Sequence, residues 1–161
     1  MKPRLETASI LFVEPSETLL QDYLNMVNDL EHVGRFIGKR TEPISEEQEL
    51  AWLREKLTER AVLFSMLEKG SGEFIGNIEL MDMTDSSAEL GIALTAKKQG
   101  RGYGTEAIPA MVAYGSTRLG LKRIFLKACP YNLRAIHVYE KCGFREYERT
   151  DEDVFMEILT P

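Results

Sequence analysis

The sequence predicts a mixed α/β (α+β) chain of one domain, residues 1–161, in which a central, mostly antiparallel sheet of about six or seven strands is flanked by about four helices. Three observations predict it. Short apolar runs and amphipathic helical stretches follow one another along all 161 residues. Three strand-like runs between residues 62 and 94 are joined by turn-forming residues. A glycine-rich bend, Gln99 to Ala107, then leads from the last of these runs into a helical pattern. A chain this long buries roughly 70% of its unfolded surface, so one core suffices without disulfide or metal staples.

Ser9 to Val13 reads as a strand stopped by Pro15, and Leu19, Tyr23, Met26, Val27 and Leu30 then share one helical face. Gly34 to Pro43 holds two glycines, a proline and several charges, the composition of a mobile connection. Ser45 with Gln48 forms a capping box, which predicts a helix whose apolar positions are Leu50, Leu53 and Leu57. Val62 to Leu67 and Phe74 to Leu80 read as a hairpin across Lys69-Gly70-Ser71-Gly72. In the third run Ala88, Leu90, Ile92 and Leu94 share one face, with Glu89, Gly91 and Ala93 on the other. After the glycine bend, Ile108, Met111, Val112, Gly115 and Leu119 make a helical stripe that Gly120 can end. Arg123 to Ala128 is the next strand. Asn132 caps a helix with Ala135, Val138, Tyr139 and Cys142 on one face, closed by Gly143, and Val154 to Leu159 is the last strand.

With 43% hydrophobic and 29% charged residues and a net charge of -6, the chain reads as a soluble globular protein. The negative balance argues against nucleic acid as a partner and favours a cationic substrate. No run approaches ~20 apolar residues, so no membrane partner is expected. The opening Met-Lys-Pro-Arg-Leu-Glu lacks the apolar core of a signal peptide. Cys129 and Cys142 are too few for a disulfide scaffold or a metal site, which fits a reducing, cytoplasmic setting.

Glycines at 100, 102 and 104 remove the Cβ atoms that would hold an anion off the backbone, at a helix N-terminus where the dipole is positive. A phosphorylated cofactor is the expected ligand. Gly102-x-Gly104-x-x-Ala107 formally satisfies a dinucleotide fingerprint, but no acidic residue stands about 20 positions on to hold a ribose. A P-loop fails for want of a Gly-Lys-Ser/Thr triplet. Gln99-x-x-Gly102-x-Gly104 and the segment Asn132 to Phe144, with Tyr139 seven residues after Asn132 and Glu-Lys-x-Gly-Phe behind it, together resemble the GNAT superfamily of N-acetyltransferases. The resemblance covers roughly Val62 to Pro161. Ala88 to Leu94 is similar to the branch acting on ribosomal-protein N-termini. The N-terminal third departs from that branch, and in this family that third largely builds the acceptor pocket.

The resemblance implies acetyl-coenzyme A as co-substrate, no metal, and a primary amine as partner, either a protein N-terminus or a small molecule. It divides the chain into a helical acceptor side, 1–60, and a cofactor-binding core, 61–161, with the sheet splayed at the cofactor cleft. Backbone N–H groups of Gly100, Arg101, Gly102, Tyr103, Gly104 and Thr105 would receive the diphosphate, with Gln99 also at the cofactor and charge from Lys98 and Arg101. Ile92, or its neighbours Ala93 and Leu94, would offer an N–H to the carbonyl oxygen that gains charge. Tyr139 would protonate the departing thiolate or else be a core residue with its hydroxyl satisfied locally. Asn132 would cap its helix and bond the cofactor arm. Glu89, then Glu79, are the candidates to accept the proton that an amine of pKa near ~10 must lose. His32 is expected beside the acceptor, His137 exposed, Cys142 packed, and Trp52 and Phe36 either lining the acceptor pocket or packing. A homodimer is left open by the sequence. A catalytically silent acyl-coenzyme A sensor is the competing class, against which the phenol of Tyr139 counts.

Overall fold

The computed structural model describes residues 2–161. Its strands are β1 (Pro3–Glu6), β2 (Ile10–Val13), β3 (Val62–Glu68), β4 (Phe74–Met81), β5 (Ser87–Leu94), β6 (Arg123–Ala128), β7 (Arg145–Arg149) and β8 (Val154–Leu159). Its helices are α1 (Leu20–Val27), α2 (Glu46–Glu59), α3 (Tyr103–Leu119) and α4 (Leu133–Lys141). The eight strands form one sheet in the order β1-β2-β3-β4-β5-β6-β8-β7. The β1–β2, β2–β3, β6–β8 and β7–β8 pairs are antiparallel, and β5–β6 is parallel. The mixed, mostly antiparallel sheet with four helices is the predicted class. Two strands exceed the sequence reading: β1, and β7, whose five residues are all exposed and show no alternation.

The chain divides into two compact units, one of residues Met1–Glu79 with Ile92–Tyr103, the other of Leu80–Gly91 with Gly104–Pro161. In the first, Tyr23, Met26, Val33, Leu53 and Phe74 form a core against which Trp52 and Ala93 pack. Ahead of α1, β2 corresponds to the strand expected over Ser9 to Val13, and β1 is additional. The capping box of α2 is present: Gln48 N–H donates to Ser45 Oγ at 3.1 Å, and Ser45 N–H to Gln48 Oε1 at 2.7 Å. The predicted leucine stripe holds in part, with Leu53 buried and Leu50 half-buried. Glu49 and Leu53 are the buried residues of α2, whereas Leu57 is 41% exposed.

In the second unit, α3 ends at Gly120 (φ 69°) and α4 is followed by Gly143 (φ 100°), the left-handed positions both turns were predicted to need. Ile136, outside the predicted stripe, is the buried residue of α4. Ala107, Ile108 and Met111 of α3, Ile124 and Leu126 of β6, and Val154 and Met156 of β8 are buried.

Candidate functional site

The bend follows a single turn of 3-10 helix, Ala96–Lys98, and runs through Gly100 at φ 70° and Gly102 at φ 89° into α3 at Tyr103. Both glycines occupy left-handed backbone that a side chain strongly disfavours. A Cβ built on Gly102 would meet nothing within 4 Å, so the main chain there borders open space. The first N–H groups of α3 have no intrahelical acceptors, and Gly104 and Thr105 lie in that first turn.

The side chains around the bend are braces. Gln99 Nε2 donates to the carbonyls of His32 (3.1 Å) and Leu94 (3.0 Å). Tyr103 donates its hydroxyl to Glu68. Lys98, expected to meet phosphate, is instead 5% exposed and sits between Glu68 and Glu73, 3.1 Å from each. An ammonium buried this way is spent on carboxylates. Arg101 remains 53% exposed in its side chain, 3.9 Å from Glu68 and above the Tyr103 ring. The carboxyl of Glu68 is held down at about 2 by the hydrogen bonds from Tyr103, Ser71 and Lys98, against the opposing effect of burial. Sequence reasoning missed Glu68, because its partners lie 30 and 35 residues away for Lys98 and Tyr103.

On β5, the ladder to β6 joins Ser87, Ala88 and Glu89 to Arg123, Ile124 and Phe125 and ends there. Ala88 and Leu90 are buried while Ile92 and Leu94 are only half-buried, so the apolar face opens after Leu90. Thr95 N–H donates to the Ile75 carbonyl at 2.9 Å, and the Ala93 carbonyl oxygen lies over Gly76 of β4. Backbone groups alternate along a strand, so those of Ile92 and Leu94 face the other edge. The Leu94 carbonyl is taken there by the Gln99 side chain. Glu89, half-buried, stands at the last paired position. Glu79, the second candidate base, is ion-paired with Lys56 at 3.2 Å.

Asn132 caps α4 as expected, its Oδ1 accepting from Ala135 N–H at 3.3 Å. Tyr139 packs its ring on Phe144 with centroids 6.2 Å apart, and its hydroxyl has no hydrogen-bond partner among the described residues. Loss of solvent, with a smaller contribution from Cys142, pushes that phenol up to about 12. Cys142 is half-buried and Cys129 buried, both as free thiols. Glu89, Gly104, Thr105, Asn132 and Tyr139 belong to the second unit, and Ile92 to Tyr103 to the first.

In the helical part of the first unit, His32 is exposed with Nδ1 3.0 Å from Asp29, and its carbonyl braces Gln99. His137 is exposed. Trp52 packs edge-on to Tyr23 at 6.2 Å, which makes it a packing residue, and Arg35 lies over the Phe36 ring. Glu49 is 3% exposed, and its Oε2 has no hydrogen-bond partner. Burial pushes its carboxyl above the ordinary 4.5, with Arg40 pulling the other way. An acid with a raised folded pKa adds stability below about 4.5 and loses it as pH rises through the folded value. Glu49→Gln, which has no charge to desolvate, is therefore expected to stabilise the protein at pH 7 relative to wild type and to flatten that part of the pH profile. Urea unfolding at pH 4 and pH 7 checks both effects.

Among the described residues no cluster of His, Cys, Asp and Glu is arranged to hold a metal, and no helix is long and apolar enough to cross a membrane. The family model for the acetyltransferase (GNAT) domain matches residues 9–145. A spermidine N(1)-acetyltransferase of Vibrio cholerae is 32% identical over 93 residues, covering 56% of this chain and 54% of that protein. The match thus spans about half the length of that curated relative. An acetyltransferase of the GNAT family from Bacillus anthracis has the same fold, with a TM-score of 0.85 at 20% identity over 96% of this chain and 97% of that one. The V. cholerae spermidine N-acetyltransferase in complex with CoA and spermine gives 0.82 at 22% identity, covering 95% and 96% of the two chains.

Proposed function

Because the chain belongs to the GNAT acetyltransferase family, we propose that it transfers an acetyl group from acetyl-coenzyme A to a primary amine by direct attack in a ternary complex. The observation that carries this reading is the bend at Gly100 and Gly102, left-handed at both glycines and open above Gly102, at the start of α3. It offers convergent main-chain N–H groups of residues 100–105 to a diphosphate, the Gln99 N–H being taken by the Ala96 carbonyl at 3.2 Å. Acetyl-coenzyme A, when bound, supplies the thioester whose acyl carbon the amine attacks.

The chain's own residues then have four tasks. The N–H of Ile92, on the edge of β5 beyond its ladder with β6, donates to the oxygen that gains charge, with Ala93 and Leu94 holding the strand in place. The phenol of Tyr139 gives a proton to the sulfur leaving group, since its raised pKa keeps it protonated at physiological pH. Glu89 receives the proton released by the ammonium before attack. Asn132 orders the start of α4 and offers Nδ2 to the cofactor arm.

A small polyamine is the acceptor class this reading favours. The net charge of -6 attracts a cation, and a relative matched over 56% of the chain is named for spermidine. Ribosomal-protein N-termini, the acceptors to which Ala88 to Leu94 pointed, have no such second support. The deciding experiment is thiol release from acetyl-coenzyme A with spermidine and with N-terminal peptides in parallel, alongside calorimetry with coenzyme A. Turnover with spermidine is expected. Coenzyme A binding without turnover on any amine would favour the silent sensor, and no binding at all would overturn the loop assignment. Gly102→Ala is expected to weaken coenzyme A binding about tenfold, because an L side chain costs roughly 1–2 kcal/mol in this left-handed backbone and fills the open space beside it. Titration of the folded variant checks this.

A further inference from the structure

We propose that Glu68 is the positioning residue for the diphosphate loop, holding its main chain in the binding conformation before any ligand arrives; this rests on the acetyl-transfer reading above. Glu68 ends β3, and its own backbone is pinned twice, its N–H donating to the Glu73 carbonyl at 2.8 Å and its carbonyl accepting from Gly72 N–H at 2.9 Å. The carboxylate is therefore a fixed post. Oε1 accepts from Ser71 Oγ at 2.7 Å. Oε2 collects the three functional side chains that flank Gly100 and Gly102: Lys98 Nζ at 3.1 Å, the Tyr103 hydroxyl, and Arg101 Nη2 at 3.9 Å.

All three side chains are drawn toward one oxygen. Glycine-containing backbone loses the most conformational freedom on ordering, so an unbraced bend would have to be ordered by the ligand at the expense of affinity. Glu68 removes that penalty in advance. It touches none of the reacting atoms, so its loss weakens donor binding and spares the chemical step.

The test compares wild type, Glu68→Gln, Glu68→Ala and Tyr103→Phe by melting temperature, by calorimetry with coenzyme A, and by separate KM values for acetyl-coenzyme A and the amine. Glu68→Gln is expected to raise the coenzyme A Kd and the acetyl-coenzyme A KM about tenfold, with kcat and the amine KM changed less than about twofold. Tyr103→Phe should shift the same two constants in the same direction by a smaller factor, which keeps the inference testable should Glu68→Ala fail to fold. A general structural role would lower the active fraction and leave the KM values alone. If wild type binds coenzyme A and the folded Glu68→Gln and Tyr103→Phe variants bind it equally well, the role of Glu68 is overturned by itself. Failure of wild type to bind coenzyme A overturns the acetyl-transfer reading and this inference together.

Discussion

Tyr139→Phe is expected to lower kcat about a hundredfold while changing coenzyme A affinity less than twofold, the range assigned to a positioned general acid. The structure makes this a clean substitution. The hydroxyl bonds to no described residue and the ring contact with Phe144 survives in phenylalanine, so the melting temperature should hold or rise slightly. The raised pKa adds a second expectation. A phenol that titrates at about 12 keeps its proton across the usual assay range, so kcat should show no alkaline fall from this residue below about pH 10. Steady-state kinetics of both proteins from pH 6 to 10 measures the two effects together. An unchanged kcat in the phenylalanine variant would leave Tyr139 as a packing residue.

Gly76→Ala carries the largest expected effect on stability. A Cβ on Gly76 would lie 1.9 Å from the Ala93 carbonyl oxygen, 2.9 Å from the Ala93 carbonyl carbon and 2.9 Å from Leu94 Cα. All three atoms are backbone, so no rotamer change relieves the overlap and β5 itself must move. A loss of about 3 kcal/mol is expected, which for a chain of this size is a drop of roughly 6–12 °C in Tm. Residues Ile92 to Leu94 would be displaced with it, so a variant that still folds should also lose activity. Thermal unfolding followed by circular dichroism decides the first point and thiol release the second.

What the sequence made legible was local. The glycines of the helix ends were readable because left-handed backbone disfavours other residues, and Gly120 and Gly143 have positive φ; those of the bend were readable as a Cβ-free approach for an anion, with Gly100 and Gly102 left-handed and Gly104 already in α3. The Ser45–Gln48 box and the Asn132 cap were readable because each closes within three residues. β7 was not, because alternation appears only where one face is buried, and Arg145 to Arg149 are exposed throughout. The inward face of α2 was legible only in part: Leu53 is buried as expected, but a glutamate occupies a second core position where only apolar residues were sought. Lys98 was misassigned for a different reason. Its acidic partners are 30 and 25 residues distant and reach it only through the β3–β4 hairpin.

The burial of Lys98 has a chemical consequence for a protein that handles an acyl donor. Free lysine amines react with thioesters on their own, and only the uncharged amine does so. Burial works to lower the Lys98 pKa, but the hydrogen bonds to Glu73 and Glu68 outweigh it and keep the ammonium charged. Lys98 is thus shielded from self-acylation beside the very donor its loop is proposed to hold, whereas its exposed neighbour Lys97 has no such protection from burial. Mass spectrometry after long incubation with acetyl-coenzyme A should find the modification on the second of these lysines and spare the first.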